Sequence, residues 1–223
     1  MSNFFYMEKI MKKSGTNPDA FTFLADQARG AGATDARIIP AQEIIVENRV
    51  RLKCLTGCHE CGKFLSCPPH APPVEDFRKS LEDYQHALLV KFRSGTEFGE
   101  EIRYSFWSSL LDPSAPIETK ESAVALIGAY LGETRKLHRI MLELEKGAFN
   151  AGNPFALTTL CGPGCRLCET CNVQEGKCIH PTLKRFAPEA LGINVMKTTE
   201  YAGMPISWPA AQNPERIAVL LID

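Results

Sequence analysis

The chain carries few of the features that mark membrane, secreted or nucleic-acid-binding proteins. Its longest apolar stretches, residues 124–127 and 217–222, are far shorter than a bilayer-spanning helix requires. Glu8 interrupts the short apolar run near the start, and the cysteine count of 9 is odd, which argues against a secreted disulfide framework. A formal net charge of -1 supplies no basic excess for nucleic acid. We therefore expect a cytoplasmic protein that binds neither nucleic acid nor membrane.

The chain also lacks the short motifs of several common enzyme classes. We find no phosphate-binding glycine loop, no nucleophile elbow and no zinc-protease helix. The sequence therefore assigns no catalytic residue, and whether the protein is an enzyme stays open.

All of the cysteines are confined to two short segments. The first segment contains Cys54, Cys58, Cys61 and Cys67, and the second contains Cys161, Cys165, Cys168, Cys171 and Cys178. Both segments open with the spacing C-x3-C-x2-C, and both end in a cysteine that prolines follow closely. Thiolates are soft ligands that select zinc, copper(I) or iron-sulfur clusters. Each segment therefore predicts a metal site.

The spacing within each segment favours iron-sulfur clusters over zinc. Structural zinc sites usually place two cysteine pairs a dozen or more residues apart, and neither segment has that pattern. Three cysteines of the second segment, separated by x2 and x2, match the ferredoxin wrap around a four-iron cluster, although the gap before the fourth is longer. We predict two [4Fe-4S] clusters, held by Cys54, Cys58, Cys61 and Cys67 and by Cys165, Cys168, Cys171 and Cys178. Two zinc sites are the alternative, and an exchange of Cys67 and Cys178 between clusters, as in two-cluster ferredoxins, stays open.

The surroundings of the second segment allow several interpretations. Cys161 stands apart from the other four cysteines and is a reserve ligand, a persulfide carrier or, as is commoner for cysteine, a buried apolar residue. The positive residues Arg166, Lys177, Lys184 and Arg185 would balance an anionic cluster or offer a docking face to an acidic partner. A plain solvated face is the other interpretation.

The pattern of apolar residues predicts one domain over residues 1–223, with cysteine loops at 54–73 and 161–181. The predicted elements are helices from about 18 to 29, 74–85 and 117–146 and strands at 86–92, 155–160 and 217–222. The isoleucine- and valine-rich stretch 36–47 predicts strands that lead towards the first cysteine. Because strands and helices alternate, we expect an α/β or α+β fold with a mixed sheet flanked by helices, each cysteine loop following a strand.

The cysteine segments and the residues after them resemble a known family. The matching strings are Lys53-Cys54-x3-Cys58, Cys67-Pro68-Pro69-His70, Cys165-x2-Cys168-x2-Cys171, Cys178-x2-Pro181 and Glu189-Ala190-x-Gly192-Ile193-x-Val195. They resemble the predicted metal-binding proteins grouped as domain of unknown function 2284, and the likeness spans most of the chain. The resemblance implies an iron-sulfur protein of a kind found mainly in anaerobic bacteria and archaea, and it conveys no reaction. It also implies that Cys61 and Cys161 are additions to the regular pattern, which leaves the fourth ligand of the first site open.

From these patterns we expect a two-cluster iron-sulfur protein that takes electrons from a carrier and passes them to a redox partner protein. One alternative is a cluster-dependent enzyme, in which an open iron or Cys161 serves sulfur transfer or Lewis-acid chemistry. The other is a zinc-stabilised interaction module. The C-x3-C-x2-C spacing also resembles the radical S-adenosylmethionine motif, but this chain has two such motifs and no glycine-rich cofactor strand.

Overall fold

A four-stranded sheet with helices on both faces forms the centre of the molecule. The computed structural model describes residues 18–58, 60–97, 113–207 and 213–223. The helices are α1 (Thr22–Gly30), α2 (Asn48–Gly57), α3 (Val74–Leu81), α4 (Ile117–Asn150) and α5 (Val195–Tyr201). The strands are β1 (Asp35–Pro40), β2 (His86–Arg93), β3 (Leu157–Thr158) and β4 (Glu215–Ile222), and 3₁₀ turns cover Pro18–Phe21, Ala41–Glu43 and Glu189–Leu191. None of the helices within these described ranges is long and apolar enough to cross a membrane.

The sheet has the strand order β1-β2-β4-β3, and each described pair of strands is antiparallel. β2 and β3, which α4 connects, both run antiparallel to β4 and are therefore parallel to each other. Because β4 lies between them, they form no parallel pair. The expected α/β or α+β fold is thus confirmed as α+β, with an antiparallel sheet in place of the mixed one.

Residues of β2 and β4 alternate between the two faces of the sheet. Leu88 pairs with Leu220, and both pack against α1 and α4 through residues such as Leu24 and Met141. The opposite face is covered by α3 and the region around the last 3₁₀ turn. Its core contains Ala87, Leu89, Val219, Leu221, Phe77, Leu81, Leu191 and Ile193. Both central strands are therefore buried on both sides, as their continuous apolar runs predict.

The long helix, the terminal strand and the buried strand at 86–92 lie where the sequence predicts them. The approach to the first cysteine differs, because Cys54 lies inside α2 and does not follow a strand. β1 ends at Pro40, which has no backbone N–H for further pairing, and a 3₁₀ turn follows it. α2 is then tied to the end of the first cysteine loop, since Arg51 donates hydrogen bonds to the carbonyls of Pro72 and Ala71.

Candidate metal sites

The cysteines of the first segment line one cavity of about 650 Å³, which we name the first cavity. Cys54 lies in the second half of α2, and Cys58 follows the end of that helix. Cys61 and Cys67 come from the next loop, where backbone amides close tight turns. The Cys61 N–H donates to the Cys58 carbonyl at 3.2 Å, and the Cys67 N–H donates to the Phe64 carbonyl at 3.0 Å. A helix end and two turns therefore bring four thiols to one space.

The wall of the first cavity also carries polar groups from distant parts of the chain. The Arg216 guanidinium lies 3.5 Å from the centroid of the Tyr130 ring and forms an ion pair of 3.2 Å with Glu133. Burial raises the pKa of Glu189, whose carboxyl forms no hydrogen bond with another residue among those described. The exposed Lys53 precedes the first cysteine. Much of the remaining lining is apolar and includes Val50, Ile193, Val195, Met196, Ile206 and Ile217.

The cysteines of the second segment other than Cys161 line a separate, much smaller cavity, which we name the second cavity. Its volume is about 20 Å³, and its lining includes Cys165, Cys168, Cys171 and Cys178. A cavity of this size has room for about one water molecule. Leu65 and Ser66 from the first cysteine loop complete its wall, together with His180 and Lys184. Residues 174–177 and 179–183 beside it are exposed, so one side of the second cavity is a surface loop.

The two cavities share a wall made of three consecutive buried residues. Leu65 and Ser66 line the second cavity, while Cys67 lines the first. Ser66 is 0% exposed, and its hydroxyl oxygen accepts a hydrogen bond of 3.0 Å from the backbone N–H of Cys165. The same oxygen lies 3.9 Å from the Cys67 sulfur. The Leu65 N–H donates to the Cys171 sulfur at 3.4 Å. The first cysteine loop therefore contacts two of the predicted ligand residues of the second, Cys165 and Cys171.

Charged and aromatic side chains fasten the two loops beside this wall. Arg166 donates to Glu60 at 2.5 Å, and its guanidinium lies 4.5 Å from the centroid of the Phe64 ring. Gly164 has a φ of +67°, and an added Cβ there would come within 2.7 Å of the Phe64 ring. Only glycine allows the second loop to approach the first this closely.

Two thiols at each cavity are weaker acids than a free cysteine, with a raised pKa. Burial raises the pKa of Cys54 to about 12, and the Glu189 carboxyl and the neighbouring thiols add to the rise. Burial also raises the pKa of Cys67 to about 11, and it raises the pKa of Cys165 and of Cys168, where other thiols of the second segment contribute. Because the thiolate is the metal ligand, metal binding at either cavity must release protons.

Cys161 lines neither cavity. It is 0% exposed and belongs to the apolar cluster between the sheet and α4, with neighbours such as Met141 and Ala218. Burial raises its pKa to about 12. The structure thus places Cys161 where the interpretation as a buried apolar residue expects it.

Most of the positive side chains around the second segment have partners within the protein. Arg166 pairs with Glu60, Arg185 pairs with Glu145, and the Lys184 ammonium lies 4.7 Å from the centroid of the Phe186 ring. Lys177 is exposed on the surface loop. These contacts fasten the second loop to the body of the protein, so fewer of the four charges face a partner than the sequence suggests.

The structure therefore divides the eight predicted ligands by segment, with Cys67 at the first cavity and Cys178 at the second. Among the described residues, no three histidine, cysteine, aspartate or glutamate side chains lie close enough to hold one metal ion.

Sequence reasoning missed the residues of the shared wall, Leu65 and Ser66, and the carboxyl of Glu189. Serine and leucine carry no spacing signal for a metal site, so only the tertiary structure reveals the shared wall.

Comparison with known proteins identifies the family. A family model described as "Predicted metal-binding protein (DUF2284)" matches residues 37–222, which include both cysteine segments and most of the chain. No curated protein and no solved structure matches the chain. The chain belongs to this family of predicted metal-binding proteins, as the resemblance of its cysteine strings indicates.

Proposed function

We propose that the chain holds two [4Fe-4S] clusters, one at each cavity, and passes electrons from a carrier to a redox partner protein. The observation that supports this most is the division of eight cysteines into two sets of four around two cavities that share a wall. Four thiolates are the complete protein ligand set of a [4Fe-4S] cluster. Two such centres on either side of one buried wall form a short relay.

The first cavity has the donor groups and the volume of a cluster, but its thiols have to draw together on binding, since no three metal-binding side chains among the described residues lie close enough to hold one ion. Cys54, Cys58, Cys61 and Cys67 supply the thiolates, and about 650 Å³ exceeds the space that eight iron and sulfide atoms fill. The apolar residues of its wall limit the access of water to the buried Cys67, while Cys58 lies at the exposed edge. Lys53, next to the first ligand, supplies positive charge that offsets an anionic centre.

The second cavity suits a cluster in its donor groups, but it has to widen. Cys165, Cys168, Cys171 and Cys178 converge on about 20 Å³ of space. Widening requires an outward shift of the exposed loop around 174–177, which carries little packing to oppose it. The Leu65 N–H already donates to the Cys171 sulfur, and hydrogen bonds of this kind tune cluster potentials.

A bound cluster would supply one-electron transfer. The remaining work falls to the chain itself. Pro68 lines the first cavity and Leu65 the second, and both cover thiols there. The Leu65 amide and the Ser66 hydroxyl lie within hydrogen-bonding reach of ligand sulfurs, and the Arg166–Glu60 pair keeps the two loops together.

The size of the first cavity favours a second candidate function, a cluster-dependent enzyme. A volume of about 650 Å³ lies in the range of small-molecule sites, about 300–1,000 Å³. The carboxyl of Glu189, whose pKa burial raises and whose hydrogen bond is with its own backbone, belongs to a residue of its wall. In this candidate function a substrate binds beside the first metal centre. Sulfur transfer through Cys161 gains no support, since that thiol lines neither cavity.

The small size of the second cavity favours zinc as the alternative metal there. A single zinc ion bound by four thiolates needs less room than a four-iron cluster, because all four sulfurs bond one atom. A zinc-stabilised second loop would then support one redox centre, or a purely structural module if the first cavity also held zinc.

Metal analysis of anaerobically purified protein separates these possibilities. We expect roughly eight iron and eight acid-labile sulfide per chain, no zinc, and electron paramagnetic resonance signals of reduced clusters after dithionite. Cys58→Ala and Cys168→Ala should each lose about half of the iron. Four iron with one zinc would assign zinc to one site, and zinc without sulfide would reject the electron-transfer proposal.

If both clusters are present, small-molecule binding distinguishes the enzyme from the electron carrier. The Cys168→Ala protein should retain only the first centre, so its paramagnetic resonance signal identifies that centre. A small molecule that changes this signal would favour the enzyme. Signals that no small molecule changes, together with reduction by a protein carrier, would favour the electron carrier.

A further inference from the structure

We infer that Ser66 couples the two metal centres, by fixing a ligand residue of the second centre while its hydroxyl donates a hydrogen bond to a ligand sulfur of the first. This inference deepens the proposed function and rests on it, because it requires metal at both cavities. Ser66 is a positioning residue, since it acts through Cys67 and Cys165 and touches no reacting atom.

The hydrogen bonds around Ser66 define the direction of the coupling. Its oxygen accepts from the Cys165 N–H at 3.0 Å, so a lone pair faces the second loop. The hydroxyl hydrogen is then free to be donated to the Cys67 sulfur. The Ser66 oxygen lies 3.9 Å from this sulfur, a distance that allows a hydrogen bond to sulfur. Ser66 is fully buried, and therefore water does not replace either contact.

The hydrogen bond between Ser66 and Cys165 joins two segments that are distant in the sequence. Ser66 and Cys165 are 99 residues apart in the chain, yet one hydrogen bond joins the residue beside the last ligand of the first centre to the first ligand of the second. The neighbouring Leu65 N–H donates in the other direction, to the Cys171 sulfur. Through these two hydrogen bonds, a shift of the second loop on metal binding or reduction would act on Ser66 and its contact with Cys67.

The energetic consequence concerns the reduced state. A hydrogen bond to a ligand sulfur stabilises the more negative, reduced form of the centre that the sulfur binds. When an electron passes between the centres, one is oxidised and the other reduced by one electron, and the Ser66 hydrogen stays on its oxygen. Coupling between two sites is reciprocal, so a change at either centre alters the reduction equilibrium of the other by the same factor.

A double-mutant cycle of Ser66 and Cys168 tests this inference, and the quantity measured is the reduction potential of the first centre. The potential is measured by redox titration with paramagnetic resonance in the wild type, Ser66→Ala, Cys168→Ala and the double variant. We expect Ser66→Ala to make the first centre about fivefold harder to reduce, the factor that corresponds to one ordinary hydrogen bond. We further expect the Cys168→Ala effect on that potential to shrink when Ser66 is absent.

Thr159→Val is the matched control. Thr159 is also buried, and its hydroxyl accepts from the Val219 N–H at 2.9 Å and donates to the Leu160 carbonyl at 3.2 Å, but it lines neither cavity. It should change stability without changing either potential. Ser66→Cys provides a second variant if Ser66→Ala fails to fold, since it retains a weaker donor of similar size. Its potential should lie between those of the wild type and the alanine variant.

The outcomes separate this inference from the proposed function. Wild-type protein without iron and sulfide rejects the proposed function before any variant is made. Fully loaded Ser66 variants with unchanged potentials, or an equal effect of Cys168→Ala with and without Ser66, overturn the coupling and leave the electron relay intact.

Discussion

Arg166 in the second cysteine loop forms an ion pair of 2.5 Å with Glu60 in the first, and only 8% of the Glu60 side chain is exposed. The Arg166 guanidinium also lies over the Phe64 ring, and its Nε is buried without a hydrogen-bond partner among the described residues. This contact and the shared wall lie side by side. They make the two cysteine loops one structural unit.

Removing one partner of this ion pair should be costlier than removing both. Arg166→Met leaves the Glu60 carboxylate buried and unpaired, and we expect a loss of about 3 kcal/mol in the free energy of unfolding. The double variant Arg166→Met/Glu60→Gln should lose less than the single one. Urea unfolding of the loaded proteins measures both. Equal losses in the single and double variants would show that the pair does not hold the loops.

Two glycines with the same backbone conformation distinguish the cost of backbone strain from the cost of a steric clash. Gly164 and Gly176 have φ values of +67° and +65°, but an added Cβ meets the Phe64 ring at Gly164 and nothing within 4 Å at Gly176. Gly176→Ala should cost about 1–2 kcal/mol, the left-handed penalty alone. Gly164→Ala should cost more and lower the metal content of the second site, because the loops must separate. Similar stability and similar metal content in the two variants would contradict this prediction.

Much of the fold follows from local patterns in the sequence. The periodicity of α4 and the apolar runs of β2 and β4 predict their type and approximate bounds, because burial on one or both faces determines which residues are apolar. The same reasoning wrongly extends strands towards Cys54. Residues 48–57 form a helix that is held by Arg51 contacts to the distant Ala71 and Pro72, and no local pattern encodes these contacts.

The candidate sites show the same division between local and distant information. Cysteine spacing predicts which thiols group together, since ligands of one loop are close in sequence. The pairing of Ser66 with Cys165 and of Glu60 with Arg166 depends on how the two loops meet, across 99 and 106 residues. The sequence left open whether Arg166 balances an anionic cluster, offers a docking face or lies on a solvated face, and only its contacts show that it fastens the two loops.

Cys161 tests whether every cysteine serves a metal. Because it is fully buried in the apolar cluster and lines neither cavity, Cys161→Ala should leave the iron and sulfide content unchanged. We expect only about 1 kcal/mol of lost stability from the small void. Cys165→Ala, four residues away, should in contrast lose the second centre. Metal analysis of the two variants side by side checks this, and iron loss in the first would make Cys161 a ligand.

His138 on α4 should make the protein sensitive to mild acid. It is 0% exposed, and burial, together with the Arg185 cation, lowers its pKa from 6.5 to about 4. A histidine with a lowered folded pKa contributes full stability above pH 6.5, and that stability is lost as the pH falls from 6.5 towards 4, because the unfolded chain binds the proton first. Between pH 7.5 and pH 5 the expected loss is about 2 kcal/mol.

The variant His138→Leu isolates this contribution from the other groups that titrate in the same range. Leucine is close to the imidazole in volume and carries no proton at either pH, so it removes the proton-binding group while keeping the buried site filled, and it forgoes only the contact with the Leu183 backbone. The wild type should lose about 2 kcal/mol more than the variant between the two pH values, since effects of the thiols and carboxyls cancel in the difference. Urea unfolding at pH 7.5 and pH 5 measures it. Equal losses in both proteins would mean that His138 is protonated at pH 5 in the folded chain as readily as in the unfolded one.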